Sequence, residues 1–469
     1  MSLPLSGLDV GRVSQLPFHW RAIDHLDPYA PDDASPHAIA RAYSGQPMTF
    51  RRNGGATDYA WGFDRNGCVV RFGMHEPRIS HYDIDGDGVA ETAAYTPHWK
   101  GKQLVPSWDL SDNVTYWSRT AEVASVTVHR TIGEAAIYRI TPTTPTVTAG
   151  AVIWSTLLPM ASGASKVPVY TGLVEWNPLA GAAGDGAYSQ MMTLHHGASG
   201  THLCFAQVAW STSGTPTGTV VGGGATRIEL RRVAGNAWRY YILGLATTQT
   251  TGLAVYLYAY GSPSSRNDEV FFGMPSVVEC PDVPENFIDL CESVVPPGQT
   301  TGYDTLTASA DFDVPDACTL YTETVVLPFQ QAGYAVSACA HACIGGYATG
   351  SVSHYGAVAI THVLYNGAGV PATIGSVFTS PDAARPTVVS ASTQYRNLRT
   401  APERRTFDAA NPNGTAWTAL GIAGLTAWGA GGIAIGALTG QGAYQKGSGV
   451  LCVKFASALL SWDEIRRIS

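Results

Sequence analysis

The chain has 469 residues, of which 45% are hydrophobic and only 14% charged, and it carries a net charge of −8. That length leaves room for two or three domains, each with a full core. The acidic balance, with no basic patch to neutralise phosphates, excludes a nucleic-acid partner.

Gly (51), Tyr (22) and Trp (12) are abundant, a mix that suits strands joined by tight turns. The opening run "MSLPLSGLDVGRVSQLPF" has no basic segment leading into an apolar one. A secretory signal peptide is therefore not expected. Residues 1–47 are irregular and rich in Pro, Asp and His. Only "SPHAIARAY", with Ser35 as cap and Pro36 at the first position, predicts a helix. With too little core of its own, this stretch reads as a docking segment for another chain or particle.

Residues 48–105 alternate short strands and turns: "MTFRR", "YAWGF" and "CVVRF", with Asn66-Gly67 as a hairpin signal. They predict a small β-meander, a collar or linker. It ends in "HYDIDGDGVAET", where Asp83, Asp85 and Asp87 alternate before Gly88 and Glu91. Carboxylates at positions 1, 3 and 5 of a loop converge on one hard cation. A full EF-hand needs Glu at position 12, and Ala94 stands there. Two readings stand. One is a shorter Ca2+ loop that adds Glu91 and the Val89 carbonyl to the three aspartates and stiffens a linker. The other is an acidic turn that serves solubility.

Residues 106–285 hold many strands and almost no helical periodicity, among them "ASVTVHRT", "AVIWSTLL", "THLCFAQVAW" and "GLAVYLYAY". "RIELRRVAGNAWRYYILGL" predicts a hairpin turning at Gly235-Asn236. Such spacing reads as a jelly roll or β-sandwich. The Pro-rich run 280–304 marks the boundary, and 286–469 repeats the same grammar as a second sandwich. The uncharged stretch 417–438 is broken by Gly and lacks basic flanks, so short strands rather than a membrane span are expected. The chain closes with "LSWDEIRRIS". Ser461 and Glu464 form a capping box, and Trp462, Ile465 and Ile468 share one helical face that seals the edge of the second sandwich. The expected fold class is thus all-β: two tandem jelly-roll or sandwich domains behind a docking segment and a meander.

The eight cysteines, at 68, 204, 280, 291, 318, 339, 343 and 452, are scattered and read mostly as buried free thiols. Cys339-Ala-His-Ala-Cys343 lacks a second pair at zinc spacing. His341, His354 and His362 fall on predicted strands and fit satisfied, partly buried histidines. Trp117, Trp154, Trp176, Trp210 and Trp238 lie in or beside strands and read as core. Trp417 and Trp428 lie near turns and are the candidate glycan-stacking aromatics. No acid string of the Glu-x-Asp-x-x-Glu type is present, nor Gly-x-Ser-x-Gly or His-Glu-x-x-His. A non-enzymatic protein is expected.

Three stretches, in order, carry a resemblance. "FRRNGGATDYAWGFDRNGCVVRFGMHEPRISHYDID", 50–85, resembles the strand-turn module of many bacteriophage virion proteins. "DLSDNVTYWSRT" and the sandwich ending in "VFFGMPSVVE" resemble the carbohydrate-binding-module-like jelly roll that follows it there. "GGIAIGALTG" with "GVLCVKFASALLSWDEIRRI" is similar to the closing strands and helix of a concanavalin A-like, laminin-G-like sandwich. The resemblance implies a fibre, spike or decoration protein of a phage-like particle, often homotrimeric. It would hold other virion proteins through its N-terminal segment, contact host-surface polysaccharide and insert into no membrane. Two alternatives are a purely structural adaptor and a polysaccharide depolymerase.

Overall fold

A computed structural model describes residues 16–22, 48–53, 60–72, 76–87, 90–96, 102–112, 115–144, 152–156, 158, 168–177, 188–196, 201–211, 213–222, 227–243, 252–258, 269–279, 297, 303–326, 340–346, 349–355, 359–368, 371–378, 386–436 and 449–468. These residues build an all-β protein of antiparallel sheets, with a short C-terminal helix, Trp462–Arg467. The predicted helix at 35–43 and the boundary run 280–296 lie outside the described residues.

The first sandwich pairs a seven-stranded sheet with a six-stranded one. The seven-stranded sheet runs in the order Arg227–Ala234, Ala237–Leu243, Pro168–Glu175, Val270–Glu279, Ala135–Pro142, Val123–Ile132. The short strand Lys102–Gln103 adds to its Val270–Glu279 strand. The six-stranded sheet runs Pro216–Gly222, Thr201–Trp210, Tyr188–His196, Leu253–Tyr258, Val152–Ser155, Trp117–Arg119. Alternate residues of both sheets meet in one core: Tyr138, Ile140, Tyr170, Val174 and Tyr240 against Ile153, Met192, Leu194, Val208, Val255 and Leu257. The predicted turn at Gly235-Asn236 joins the first two strands, with Gly235 at φ +54°.

The second sandwich is built from strands far apart in the chain. Its eight-stranded sheet runs Thr418–Ala419, Glu403–Asp408, Thr387–Arg396, Cys318–Val326, Gly449–Ala456, Thr92–Tyr95, Ile79–Tyr82, and Phe18–Arg21 also pairs with Gly449–Ala456. The facing seven-stranded sheet runs Met48–Asn53, Tyr303–Ala308, Ile433–Ile435, Ala340–Gly346, Gly350–Tyr355, Ala359–Tyr365, Pro371–Phe378. Phe18, Trp20, Leu320, Tyr395, Val453 and Phe455 meet Phe50, Leu306, Ile344, Val352, Leu364 and Ile435 between them.

This topology changes two expectations. The described part of the N-terminal segment docks on its own chain. In "FHWR", Phe18 and Trp20 alternate with His19 and Arg21, so two large rings enter the core of the second sandwich. Nor is 48–105 a separate collar. Met48–Asn53 completes one sheet of the second sandwich, and Ile79–Tyr82 with Thr92–Tyr95 the other. The hairpin Ala60–Phe63/Val69–Phe72 turns at Asn66-Gly67 as predicted, with Asp64 Oδ1 accepting the N–H groups of Asn66 (2.8 Å) and Cys68 (2.9 Å). It packs instead on the outer face of the first sandwich, where Phe63 and Val69 meet Ile132, Ile137, Leu173 and Phe271.

The terminal helix has its full capping box: Ser461 Oγ accepts the Glu464 N–H, and Glu464 accepts the Ser461 N–H at 2.9 Å. Trp462 and Ile465 are buried with Ile468 packed beside them, over Tyr321, Phe407 and Ala456. The helix thus covers a face of the eight-stranded sheet, not its edge. No helix among the described residues is long and apolar enough to cross a membrane.

Candidate functional site

The acidic run sits at the tip of the Ile79–Tyr82/Thr92–Tyr95 hairpin, where Tyr82 pairs with Thr92 and residues 83–91 form the connection. The base of this hairpin is rigid. Ile79, Tyr82, Ala93, Ala94 and Tyr95 are buried, and the fully buried Arg78 donates from Nε to the Thr96 carbonyl at 2.9 Å. Arg231, from the first sandwich, donates to the His81 carbonyl at 3.1 Å and lays its guanidinium over the Tyr82 ring. At the tip, Asp83 Oδ1 accepts the Gly86 N–H at 2.6 Å and Asp85 Oδ1 the Asp87 N–H at 3.1 Å. Gly86, at φ +84°, makes the sharp turn.

One oxygen from each of Asp83, Asp85, Asp87 and Glu91 lies within 4.8 Å of all the others. Ca2+ binds oxygens at ~2.3–2.6 Å, so ligands on opposite sides of the ion stand about 5 Å apart. The four carboxylates therefore fit one calcium-sized sphere without moving the backbone far. They are half-buried to exposed, leaving room for water to complete six to eight ligands. Val89, the expected carbonyl ligand, lies outside the described residues. Ala94 is fully buried within its strand, so the EF-hand closing position is structural.

The two tryptophans singled out in the second sandwich have different surroundings. Trp428 packs edge-on to Phe312 and Phe455, with centroids 6.0 and 5.8 Å apart, and donates its indole N–H to the Phe312 carbonyl at 3.0 Å. Its ring and its polar handle are both used in packing. Trp417 is half-buried beside the Glu403–Asp408 strand, with the guanidinium carbons of Arg396 and Arg405 at 4.4 and 4.9 Å from its ring centre. Arg396 is paired with Glu403, and Arg405 donates to Gln394 Oε1 at 2.6 Å. Two guanidinium groups thus share the half-buried Trp417 ring with solvent.

A further aromatic group lies on the outer face of the six-stranded sheet. Ile153, Leu257, Leu194 and Ala206 point into the core, so their strand neighbours point out. Trp154, Tyr256, Thr193 and Phe205 are consecutive cross-strand partners, forming one row across four adjacent strands. Trp154 stacks on Tyr256 at 6.4 Å with 19° between planes. Tyr258, on the next row, lies 6.4 Å from Phe205 and shares a 3.4 Å hydrogen bond with Thr193 Oγ1. Burial pushes the Tyr258 phenol up from its ordinary range, so it stays neutral and able to donate. Trp154, Phe205, Tyr256 and Tyr258 are each half-buried. At ~4.8 Å between strands the row spans about 14 Å. Period-two alternation separates Trp154 from Ile153, but the alternation alone does not say which of the two is covered.

Other titratable groups serve the scaffold. Asp109 Oδ1 accepts the Ser111 hydroxyl (2.5 Å), the Ser111 N–H (3.0 Å) and the Tyr138 phenol (3.0 Å). The Ser111 hydroxyl bond leads in holding its carboxyl below the usual range. His354 and His362 are fully buried, their rings 4.5 Å apart, and the Thr393 hydroxyl bonds both. Cys318, Cys343 and Cys452 are buried and Cys68 is half-buried, and none of these four is in a disulfide. Cys339 and the side chain of His341 lie outside what the structure describes.

No family model matches the chain, and no curated protein matches it. Among solved structures, it is similar to a bifunctional GH43-CE protein of Bacteroides eggerthii, at 10% identity over 73% of this chain and 59% of that one, with a TM-score of 0.16. The chain thus spans less than two thirds of that protein's length, and a superposition this loose carries no argument about fold or chemistry.

Proposed function

We propose that the protein is a non-enzymatic structural component of a phage-like particle, projecting from it and binding host-surface glycans. The half-buried rings of Trp154, Tyr256 and Phe205, in one row across the fully buried Thr193, carry this reading. Aromatic faces give a sugar ring its apolar contact, while neighbouring hydroxyl and amide groups satisfy its hydroxyls. A row running across strands offers that surface to an extended chain rather than to a single sugar. Trp417, flanked by Arg396 and Arg405, is a second contact point of mixed aromatic and cationic character. Ca2+ held by Asp83, Asp85, Asp87 and Glu91 would stiffen the hairpin that Arg231 ties to the first sandwich. Residues of the N-terminal segment beyond the strand Phe18–Arg21 hold other virion proteins, and the chain assembles as a homotrimer.

The test is binding of the full chain to an array of bacterial surface polysaccharides, alongside Trp154→Ala and Tyr256→Ala. Binding to a subset of glycans, weakened roughly tenfold by either substitution, is expected. Binding that both substitutions leave intact refutes the aromatic row. Absence of binding to any glycan and to host cells leaves the adaptor role, and shortening of a polysaccharide by the chain overturns the non-enzymatic reading.

A further inference from the structure

A cavity of about 380 Å3 lies on the outer face of the eight-stranded sheet, between the terminal helix and the acidic hairpin. Its floor comes from three adjacent strands. Arg21 is the cross-strand partner of Cys452, and Cys452 of Glu323. Lys454, two residues along from Cys452, points to the same side. The last turn of the helix contributes Arg466, and the hairpin contributes Glu91. The volume falls in the ~300–1,000 Å3 range of small-molecule pockets.

Two of the charged groups in this cavity are also bonded to the surrounding scaffold. Glu323 accepts the Tyr321 phenol and, at 3.4 Å, the Ser390 hydroxyl. Lys454 is 5% exposed, and its ammonium donates to the carbonyls of Ile465 (3.1 Å) and Arg466 (3.4 Å). Those carbonyls end the helix and carry the partial negative charge of its dipole. They satisfy hydrogen bonds without neutralising a full charge, so burial holds the Lys454 ammonium below its ordinary range. The neighbouring His19 senses the same field: burial comes first in suppressing its protonation, and the charges of Lys454 and Arg21 add to it. Three cations, Arg21, Lys454 and Arg466, thus face two acids, Glu91 and Glu323, around an open volume.

We infer that this cavity binds a compact anion, a carboxylate or phosphate group, held by Arg21 and Arg466 above the Lys454 ammonium. A fork of guanidinium donors suits either oxyanion, and an anion entering here would offset the desolvation that Lys454 now bears. The group arrives either on a uronic acid sugar or as a phosphoryl group. The inference stands apart from the aromatic row, which lies on the other sandwich, so failure of one leaves the other in place.

Cys452 supplies a reporter. Among the cysteines the structure describes, it alone lines this cavity. The experiment titrates the full chain, at low salt, with glucuronate and separately with inorganic phosphate. Calorimetry gives affinity, and mass spectrometry follows iodoacetamide labelling at Cys452. Expected is saturable 1:1 binding of at least one anion, with labelling of Cys452 slowed in its presence. Arg466→Gln, on an exposed helix end, and Arg21→Met should each weaken binding about tenfold, whereas Glu323→Gln should strengthen it a few-fold. Binding of glucuronate alone assigns a uronate, binding of phosphate alone a phosphoryl group, and equal binding of both an oxyanion site open to either. Failure of both anions to bind, or binding that neither protects Cys452 nor responds to Arg466→Gln, overturns the inference.

Discussion

His19 gives the strand Phe18–Arg21 a defined sensitivity to acid. Its imidazole is 2% exposed, and burial, with Lys454 and Arg21 adding to it, holds its pKa down from 6.5 to about 3. The folded protein therefore keeps His19 neutral at pH values where the unfolded chain has taken up a proton. The sign follows from linkage: stability is whole above pH 6.5 and is lost progressively as pH falls toward 3, below which no more is lost. At ~1.4 kcal/mol per pH unit the full loss is about 5 kcal/mol, of which about 2 kcal/mol is already gone at pH 5. His19→Gln removes the titration while keeping a polar side chain at this position. Hydrogen exchange of the amides shared by Phe18–Arg21 and Gly449–Ala456 reads the local stability of this ladder directly. In the parent protein, protection should fall between pH 6.5 and 4, and in the variant it should stay nearly flat. Parallel profiles in the two proteins, or an NMR titration of the His19 ring centred near 6.5, would refute the reasoning.

Three further perturbations address separate parts of the molecule. Calcium at a hundredfold excess over its Kd should stabilise the hairpin by about 2.7 kcal/mol, and Asp85→Asn with Asp87→Asn should abolish the effect; identical exchange of the Ile79–Tyr95 amides in calcium and in chelator counts against a metal here. Ser461→Ala should cost about 1 kcal/mol by removing the cap, read as faster exchange of the Ile465 amide, which donates to the Ser461 carbonyl at 3.0 Å. Gly133→Ala meets both a φ of +61° and the Val69 carbonyl oxygen, 2.0 Å from where the new Cβ would lie. A loss of about 3 kcal/mol should loosen the Ala60–Phe72 hairpin and speed alkylation of the half-buried Cys68, and an unchanged alkylation rate argues against that packing.

Local chemistry was legible in the sequence wherever a few neighbouring residues decide the outcome. The turns at Asn66-Gly67 and Gly235-Asn236, the capping box at Ser461 and the convergence of Asp83, Asp85, Asp87 and Glu91 all follow from short-range geometry. Period-two alternation likewise announced strands nearly throughout, and with them the all-β class. What alternation leaves open is which of a strand's two faces is covered and which strand lies beside it. Trp154 read as core because strand tryptophans usually face inward, yet its neighbour Ile153 takes the core and Trp154 turns outward to Tyr256. "FHWR" belonged to an apparently irregular segment until it paired with Gly449–Ala456, more than 400 residues away, where its two rings found a shared core. The cavity beneath Arg466 exists only because the first described strand, the acidic hairpin and the last helix meet on one sheet. Pairings of that length are set by the burial they complete together, a free energy that belongs to the assembled core and is written in none of its segments alone.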